Sequence, residues 1–178
     1  AEITAAFTFI DMLLLNLNPH IDESRIETFS INACVTQALA RYPFAEGQRS
    51  LIEWQEDQAQ DFAVNSEPLL LIHVLFNLLK NALYSIGQAG KGKIQIWLEQ
   101  GADFNTLNFK DTGKGIAEAI LPRIFEKFFS KTQYGTGIGL SFCAWVMQKL
   151  KGKISCTSEE GNFALFVLSF PKLEEKNG

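Results

Sequence analysis

Asp111-Thr112-Gly113-Lys114-Gly115-Ile116 and Gly135-Thr136-Gly137-Ile138-Gly139-Leu140 are the two stretches on which the reading of this chain turns. Each is a glycine-rich run flanked by apolar segments. Glycine has no Cβ and tolerates positive φ, so two such loops let the backbone approach a ligand from two sides. Between them lies the aromatic cluster Phe125-Glu126-Lys127-Phe128-Phe129. The pair points to a bound nucleotide.

The neighbouring segments set the fold class. The first run ends a strand expected over Phe104 to Asp111, and the second opens an apolar helix expected between Ile138 and Lys151. Ile94, Ile96 and Leu98 alternate with polar or amphipathic neighbours, as in a half-buried strand, and Gly101-Ala102-Asp103 turns that strand back. A closing hairpin is expected from Lys153 to Ser158 and from Phe163 to Phe170, joined by Glu159-Glu160-Gly161. Upstream, Ser66 is positioned to cap a long apolar helix, Leu69 to Ile86, with Pro68 in its first turn. Gly87 is expected to stop it, and Gly90-Lys91-Gly92 to make the turn. Asp22 to Ser30 reads as a polar linker running into a short strand, Arg25 to Phe29; further short strands are expected at Ser50 to Trp54 and Phe62 to Val64. A helix is expected over Asn32 to Tyr42, with Val35, Ala38 and Leu39 inward and Pro43 beyond its end. Hairpins with interspersed helices predict an α+β two-layer sandwich, a mainly antiparallel sheet with helices on one face.

Bulk composition narrows the function. The 178 residues are 47 % hydrophobic and 20 % charged, so they can form a packed core and do not read as disordered. A net charge of −4 with no basic block argues against nucleic-acid binding. No uninterrupted apolar run reaches the roughly 18 residues of a membrane span, and no signal-peptide pattern opens the chain. Cys34, Cys143 and Cys156 are odd in number and far apart, which supports neither a disulfide framework nor a CxxC metal site. Ile3, Phe7, Ile10, Leu14 and Leu17 form a coiled-coil-like seam along a helix expected over residues 1–18, and Asn18-Pro19 breaks it. This helix either packs on its own domain or derives from a dimeric bundle whose remainder lies upstream.

Within the long helix, Asn77 and Asn81 are four residues apart and share a face. A buried amide needs partners. Two amides capping neighbouring loops satisfy that need; so do two oxygen donors facing a hard cation such as Mg²⁺, which shares phosphate oxygens when a nucleotide is bound. His73 lies one turn earlier on the same side and reads as a packed histidine rather than a catalytic one. Asp111 suits an exocyclic amine such as adenine's; alone it could equally start an Asx-type turn. The second glycine run enters a helix, where backbone N–H groups and the helix dipole bind phosphate oxygens. It lacks the GK[ST] ending of a Walker loop, and its G-x-G-x-G spacing is not the dinucleotide fingerprint.

In this order, the asparagine helix, the strand-Asp-glycine loop, the aromatic cluster and the glycine-to-helix run resemble the ATP-binding catalytic domain of bacterial sensor histidine kinases, within the group that includes gyrase and mismatch-repair ATPases. The N box is Asn77 to Ala82, the first glycine box Asp111 to Gly115, the F box Phe125 to Phe129 and the second glycine box Gly135 to Leu140. The likeness spans roughly residues 25–172, with Gly152 and Phe170-Pro171 resembling the family's tail. It implies ATP between the asparagine helix and a lid over about Ala117 to Tyr134. Asp111 would accept from the adenine amine; Asn81, with Asn77, would act catalytically by holding Mg²⁺ on the phosphates. Gly113 and Gly115 would shape the base end, walled by Ile116 and Leu140. Gly135, Thr136, Gly137, Ile138 and Gly139 would bring backbone amides to the triphosphate. Phe125 and Phe128 would anchor the lid, and Lys131 would contact phosphate. Many such kinases carry a basic residue three positions after the second asparagine; Tyr84 stands there in this chain. Charge compensation then falls to Lys80, if it faces the site, or to Lys131.

Related ATPases orient water with a glutamate where this chain has Asn77, which cannot act as a general base. That favours phosphoryl transfer to a side chain over hydrolysis. The acceptor implied is a histidine, yet only His20 and His73 occur, neither in a segment resembling the family's phosphoacceptor box. Residues 1–21 are therefore expected to be the second helix of a dimerisation hairpin plus linker, and 22–178 the catalytic domain, with the acceptor histidine upstream. The implied partners are ATP and ADP, the histidine-bearing dimerisation domain of the same protein as a homodimer, and a response-regulator receiver domain. The implied place is the cytoplasmic side of an inner-membrane sensor, with the membrane reached only through segments outside this chain. The N box wording and short lid resemble the quorum-sensing hybrid kinases that receive autoinducers. A serine-kinase or anti-sigma regulator on the same ATP fold, and a nucleotide-sensing scaffold without transfer activity, remain as other classes.

Overall fold

The structure, a computed structural model, describes residues 23–129 and 137–173. The expected helix over residues 1–18, the boundary at residue 21, and Lys131, Gly135 and Thr136 lie outside the described residues.

A 3-10 turn, Glu23–Arg25, leads into β1 (Glu27–Ser30). Ser30 closes the strand and caps α1 (Ile31–Arg41): its Oγ accepts from the Ala33 N–H at 3.1 Å and donates to Asp61 at 2.6 Å. The strand sits later than its expected span because its register runs through Ser30, opposite Ala63. α1 buries Ile31, Cys34, Val35, Ala38 and Leu39, one stripe at helical spacing. The strand expected over residues 50–54 shrinks to β2 (Ile52–Glu53). Gly47, at φ +77°, enters a 3-10 turn at Gln48–Leu51 instead, and Ser50 Oγ holds that turn by donating to the Gly47 carbonyl at 2.7 Å. β3 (Ala63–Ser66) pairs antiparallel with β1 as a separate two-stranded sheet.

The spine is α2 (Pro68–Ala89), and both of its ends differ from expectation. Ser66 is not its cap. It belongs to the β1–β3 ladder opposite Glu27, and its Oγ donates to the Glu67 carbonyl, so Glu67 occupies the N-cap without a side-chain cap bond. Pro68 at the first helical position needs no cap for itself, having no N–H to satisfy. Gly87 does not stop the helix; only Gly90, at φ +66°, takes the left-handed conformation that ends it. By length and hydropathy α2 could pass for a membrane span, but 67 % of its apolar window is buried inside the domain, as befits a core helix.

β4 (Ile94–Gln100), β5 (Phe104–Asp111), α3 (Gly139–Lys149), β6 (Lys153–Glu159) and β7 (Phe163–Pro171) follow within a residue or two of expectation. They form one sheet in the order β2-β4-β5-β7-β6, antiparallel except where β2 runs parallel to β4. Register aligns Ile96, Phe109, Phe166 and Cys156 across the sheet, and the first three of these are buried. The intervening row, Gln95, Lys110, Leu165 and Thr157, stays partly or fully exposed. One face is therefore core, and α2 and α3 cover it with Leu71, Leu78, Leu79, Phe142 and Met147 almost wholly enclosed. This is the two-layer α+β sandwich, with the helices on one face.

Candidate functional site: a cavity between two glycine runs

The two glycine runs meet α2 around one cavity of about 510 Å³. Lys80, Asn81, Tyr84 and Ser85 line it from α2; Asp111, Lys114, Gly115 and Ile116 from the end of β5 and its loop. Gly137, Gly139 and Leu140 close it from the start of α3, and Glu160, Gly161, Ala164 and Phe166 from the last hairpin. Ile120, Ile124 and Phe129, from the segment between the glycine runs, cover the rest. The volume and the mix of an apolar wall with a few polar groups suit a small organic ligand.

The base of the cavity is built around Asp111, only 3 % exposed. Its Oδ1 accepts from Ser85 Oγ at 2.9 Å and from the Gly113 N–H at 3.1 Å, which leaves Oδ2 for the cavity. Burial pushes the Asp111 carboxyl above its ordinary 3.8, and the two hydrogen bonds pull the other way. Ser85 also accepts from the Lys114 N–H at 3.0 Å, so one hydroxyl ties the glycine loop to α2. Ser85 was not among the residues singled out from sequence. Its signal was present: Asn77, Asn81 and Ser85 recur every fourth residue on an apolar helix.

The glycines do close-contact work. Gly113 does not line the cavity. A Cβ on it would press into Ser85 Oγ and the α2 backbone, so it is the point where the loop lies against the helix. Gly115, at φ +63°, backs onto the Glu159 carbonyl, and the Ile116 N–H donates to Ser158 Oγ at 2.8 Å. Gly137, at φ +68°, accepts through its carbonyl from the Phe128 N–H at 2.9 Å. Ile138 occupies the N-cap of α3 without a side-chain cap bond and is itself buried. Among the described residues, no side chain caps the N-terminal amides of α3, which begin at the cavity, the arrangement that favours an anion.

Of the two asparagines, Asn81 lines the cavity and Asn77 does not. Asn77 is buried beneath Gly139, whose absent Cβ leaves room for its Oδ1. Its Nδ2 donates to the His73 carbonyl at 3.1 Å and its Oδ1 accepts from Lys80 Nζ at 3.2 Å. Lys80 does face the cavity. Tyr84 lines it at 40 % exposure, with Lys114 Nζ over its ring. His73 packs edge-on against Phe76 and is absent from the lining. Among the described residues no cluster of three His, Cys, Asp or Glu side chains could hold a metal. A cation at this site would need a ligand's oxygens beside Asn81.

In the segment between the glycine runs, Phe125 packs edge-on to Phe166, as expected of an anchor. Phe128 does not anchor: it sits at φ +64° and is 75 % exposed. Phe129 takes the inward place, lining the cavity beneath Arg123 with the guanidinium 4.5 Å from its ring centroid. Adjacent aromatics cannot both point inward on a turn, and spacing alone does not say which will.

The family described as histidine kinase-, DNA gyrase B- and HSP90-like ATPase matches residues 66–174. The chain is 36 % identical over 173 residues to the autoinducer 1 sensor kinase/phosphatase LuxN of Vibrio campbellii, covering 96 % of this chain and 20 % of LuxN. It is 36 % identical over 173 residues to the CAI-1 autoinducer sensor kinase/phosphatase CqsS of Vibrio cholerae, covering 93 % of this chain and 24 % of CqsS. It thus spans about a fifth to a quarter of these relatives' length. Among solved structures, the nucleotide-free catalytic domain of histidine kinase ThkA superposes with a TM-score of 0.68 at 26 % identity, covering 83 % of this chain and 95 % of that domain. With the matched region taking in α2, both glycine runs and the closing hairpin, the chain belongs to the histidine kinase-, DNA gyrase B- and HSP90-like ATPase family.

Proposed function

We propose that this domain binds Mg-ATP and donates the γ-phosphoryl group to a histidine outside the chain, as the catalytic part of a two-component sensor kinase. The observation that carries the reading is the polarity of one cavity. A buried carboxylate with one oxygen committed to Ser85 and Gly113 stands at one end, and Asn81 with the start of α3 at the other. Adenine fits the first end, with its amine on Asp111 Oδ2 and its faces against Ile116 and Leu140. The triphosphate fits the second. Mg²⁺ supplies charge neutralisation when bound, Asn81 holds it, and Asn77 acts behind it by orienting Lys80 and seating Gly139. Gly135, Thr136 and Lys131, which the family resemblance implies as phosphate contacts, lie outside the described residues.

Phosphoryl transfer rests on positioning and charge neutralisation, so a site without a nucleophile of its own suits the role. The neutral amide of Asn77, where related ATPases carry a water-orienting glutamate, supports transfer over hydrolysis. The names of LuxN and CqsS support the kinase reading and a sensor kinase/phosphatase of the autoinducer type as the parent. On that reading the domain is cytoplasmic within a membrane-bound sensor, residues 1–21 belong to the dimerisation hairpin, the whole protein is a homodimer, and the phosphoryl group passes on to a receiver domain.

Calorimetry with a non-hydrolysable ATP analogue, with and without Mg²⁺, tests the binding half. Micromolar, Mg²⁺-dependent affinity is expected, and no heat would sink it. Incubation with labelled ATP tests the transfer half. The chain alone should acquire no acid-labile label, whereas adding a histidine-bearing hairpin from the parent protein should place label on the hairpin. Label appearing on this chain's own residues would overturn the division of roles.

A further inference from the structure

The first glycine run brings a second charged side chain to the cavity, Lys114. Its backbone is fixed on both sides. Its N–H donates to Ser85 Oγ at 3.0 Å, and its carbonyl accepts from the Gly161 N–H at 2.6 Å. α2 therefore holds it from one wall and the β6–β7 turn from the other. From this anchor its Nζ reaches back over the Tyr84 ring, 5.2 Å from the centroid. Tyr84 follows Asn81 by three residues on α2 and directly precedes Ser85, and like them it lines the cavity.

Charge around the cavity gives this contact its meaning. Among the described lining residues the anions are Asp111 and Glu160, and the cations are Lys80 and Lys114. Lys80 is bonded to Asn77. A bound polyphosphate adds several negative charges beside those carboxylates, and Asn81 and Tyr84 are neutral. Lys114 is the cation on the glycine-loop side. A lysine over an aromatic ring has already given up part of its rotamer freedom and hydration, so less is lost when it engages a ligand oxygen.

Resting on the ATP reading above, we propose that Lys114 is a nucleotide-contact residue whose ammonium pairs with the phosphate chain, and that Tyr84 is its positioning residue. The test measures dissociation constants of the 178-residue chain for ATP, ADP and adenosine by calorimetry. Lys114→Met should weaken ATP and ADP about tenfold, as loss of a charge-assisted hydrogen bond does. Adenosine should stay within about twofold, having no phosphate for a point charge to find. Lys114→Arg should hold ATP within about threefold of wild type, because Arg also stacks on rings. Tyr84→Leu, which removes the ring, should weaken ATP about threefold. On the Lys114→Met background Tyr84→Leu should add nothing.

Unchanged ATP binding by Lys114→Met overturns the proposal, and so does an equal loss for adenosine and ATP, which would mean a structural role. Additive losses in the double variant overturn the part given to Tyr84. Melting temperatures within a few degrees of wild type, expected for these exposed side chains, exclude misfolding; Lys114→Gln repeats the test if Lys114→Met melts early. A wild-type chain that binds no ATP refutes the nucleotide reading itself, and that result is seen before any variant is made.

Discussion

Replacing Asp111 by Asn separates what the cavity needs for its ligand from what the fold needs for its stability. Asn is nearly isosteric, and its single oxygen can take the Oδ1 place, accepting from Ser85 Oγ and the Gly113 N–H as the carboxylate does at 2.9 and 3.1 Å. The amide NH₂ then occupies the Oδ2 place, facing the cavity. Against an adenine amine it sets donor against donor. Losing a hydrogen bond to a charged acceptor is worth about 1.5–3 kcal/mol, and each 1.4 kcal/mol is tenfold, so ATP affinity should fall roughly 10- to 150-fold. Inosine triphosphate carries a carbonyl oxygen where adenine carries the amine, and it should bind the variant better than it binds wild type.

Stability should move the other way. Burial raises the Asp111 carboxyl above its ordinary 3.8, which means that the fold disfavours the charged form. The folded chain therefore binds more protons than the unfolded chain between 3.8 and the raised value, and wild type loses stability as pH rises through that window. Asp111→Asn has no charge to bury. It should be at least as stable as wild type at neutral pH, with the gap closing as the medium is acidified through the window. Urea titrations at several pH values, run beside calorimetry with ATP and inosine triphosphate, read both effects. A variant that is less stable at neutral pH, or one that loses both nucleotides equally, would refute the assignment of Oδ2 to the base.

Other substitutions probe the scaffold. Ser85→Ala leaves Asp111 Oδ1 with one donor and takes the acceptor from the Lys114 N–H, so it should lower stability by about 1–3 kcal/mol and weaken ATP as well, read by urea denaturation and calorimetry. Gly139→Ala drives a methyl group into Asn77 Oδ1, a buried amide held by two hydrogen bonds; a loss of about 1–3 kcal/mol in the same urea experiment is expected, together with weaker ATP binding. Burial pushes the Cys34 thiol up to about 12, so a thiol reagent at neutral pH should label it only as fast as the domain unfolds. Cys156 is likewise pushed up to about 12, by burial first and by the Asp111 charge second, so Asp111→Asn should make it the faster-reacting thiol of the two proteins compared.

How much of this was legible in the sequence depends on the range of the interaction that decides each feature. Alternation at Ile94, Ile96 and Leu98 and the turn at Glu159-Glu160-Gly161 are local signals, and the strands beside them fell where those signals placed them. The ends of α2 were misplaced because their determinants are not local. Ser66 has the chemistry of a cap, but pairing with Glu27 across the β1–β3 ladder holds it in a strand. Gly87 has the chemistry of a stop, but nothing forces positive φ there, and the helix runs on to Gly90. Likewise Phe128 and Phe129 are equivalent by composition, and the bond from the Phe128 N–H to the Gly137 carbonyl is part of what turns the former out.

The same distinction explains why the elements that line the cavity were legible and the depth of each side chain was not. Two amides four apart on an apolar helix announce polar business on that face, yet not how deep each one sits. Gly139 settles it. Because that position lacks a Cβ, the start of α3 can press onto Asn77 and shut it from the cavity, while Asn81 stays open one turn later. On the proposed reading, the glycine that would let backbone amides reach a phosphate also makes Asn77 a supporting residue. Ser85, a further turn along, does for Asp111 what Asn77 does for Lys80: it fixes a neighbour that faces the cavity. α2 therefore presents a repeating unit, support at 77, contact at 81, support at 85, and the contacts themselves come partly from loops that only the closed fold brings near. If that is right, Asn77→Ala should change ATP affinity through Lys80 and Gly139 rather than through the metal. Its Mg²⁺ dependence should match wild type while Asn81→Ala loses it; calorimetry across a Mg²⁺ series decides, and loss of the Mg²⁺ dependence in Asn77→Ala would return Asn77 to the metal's own ligand set.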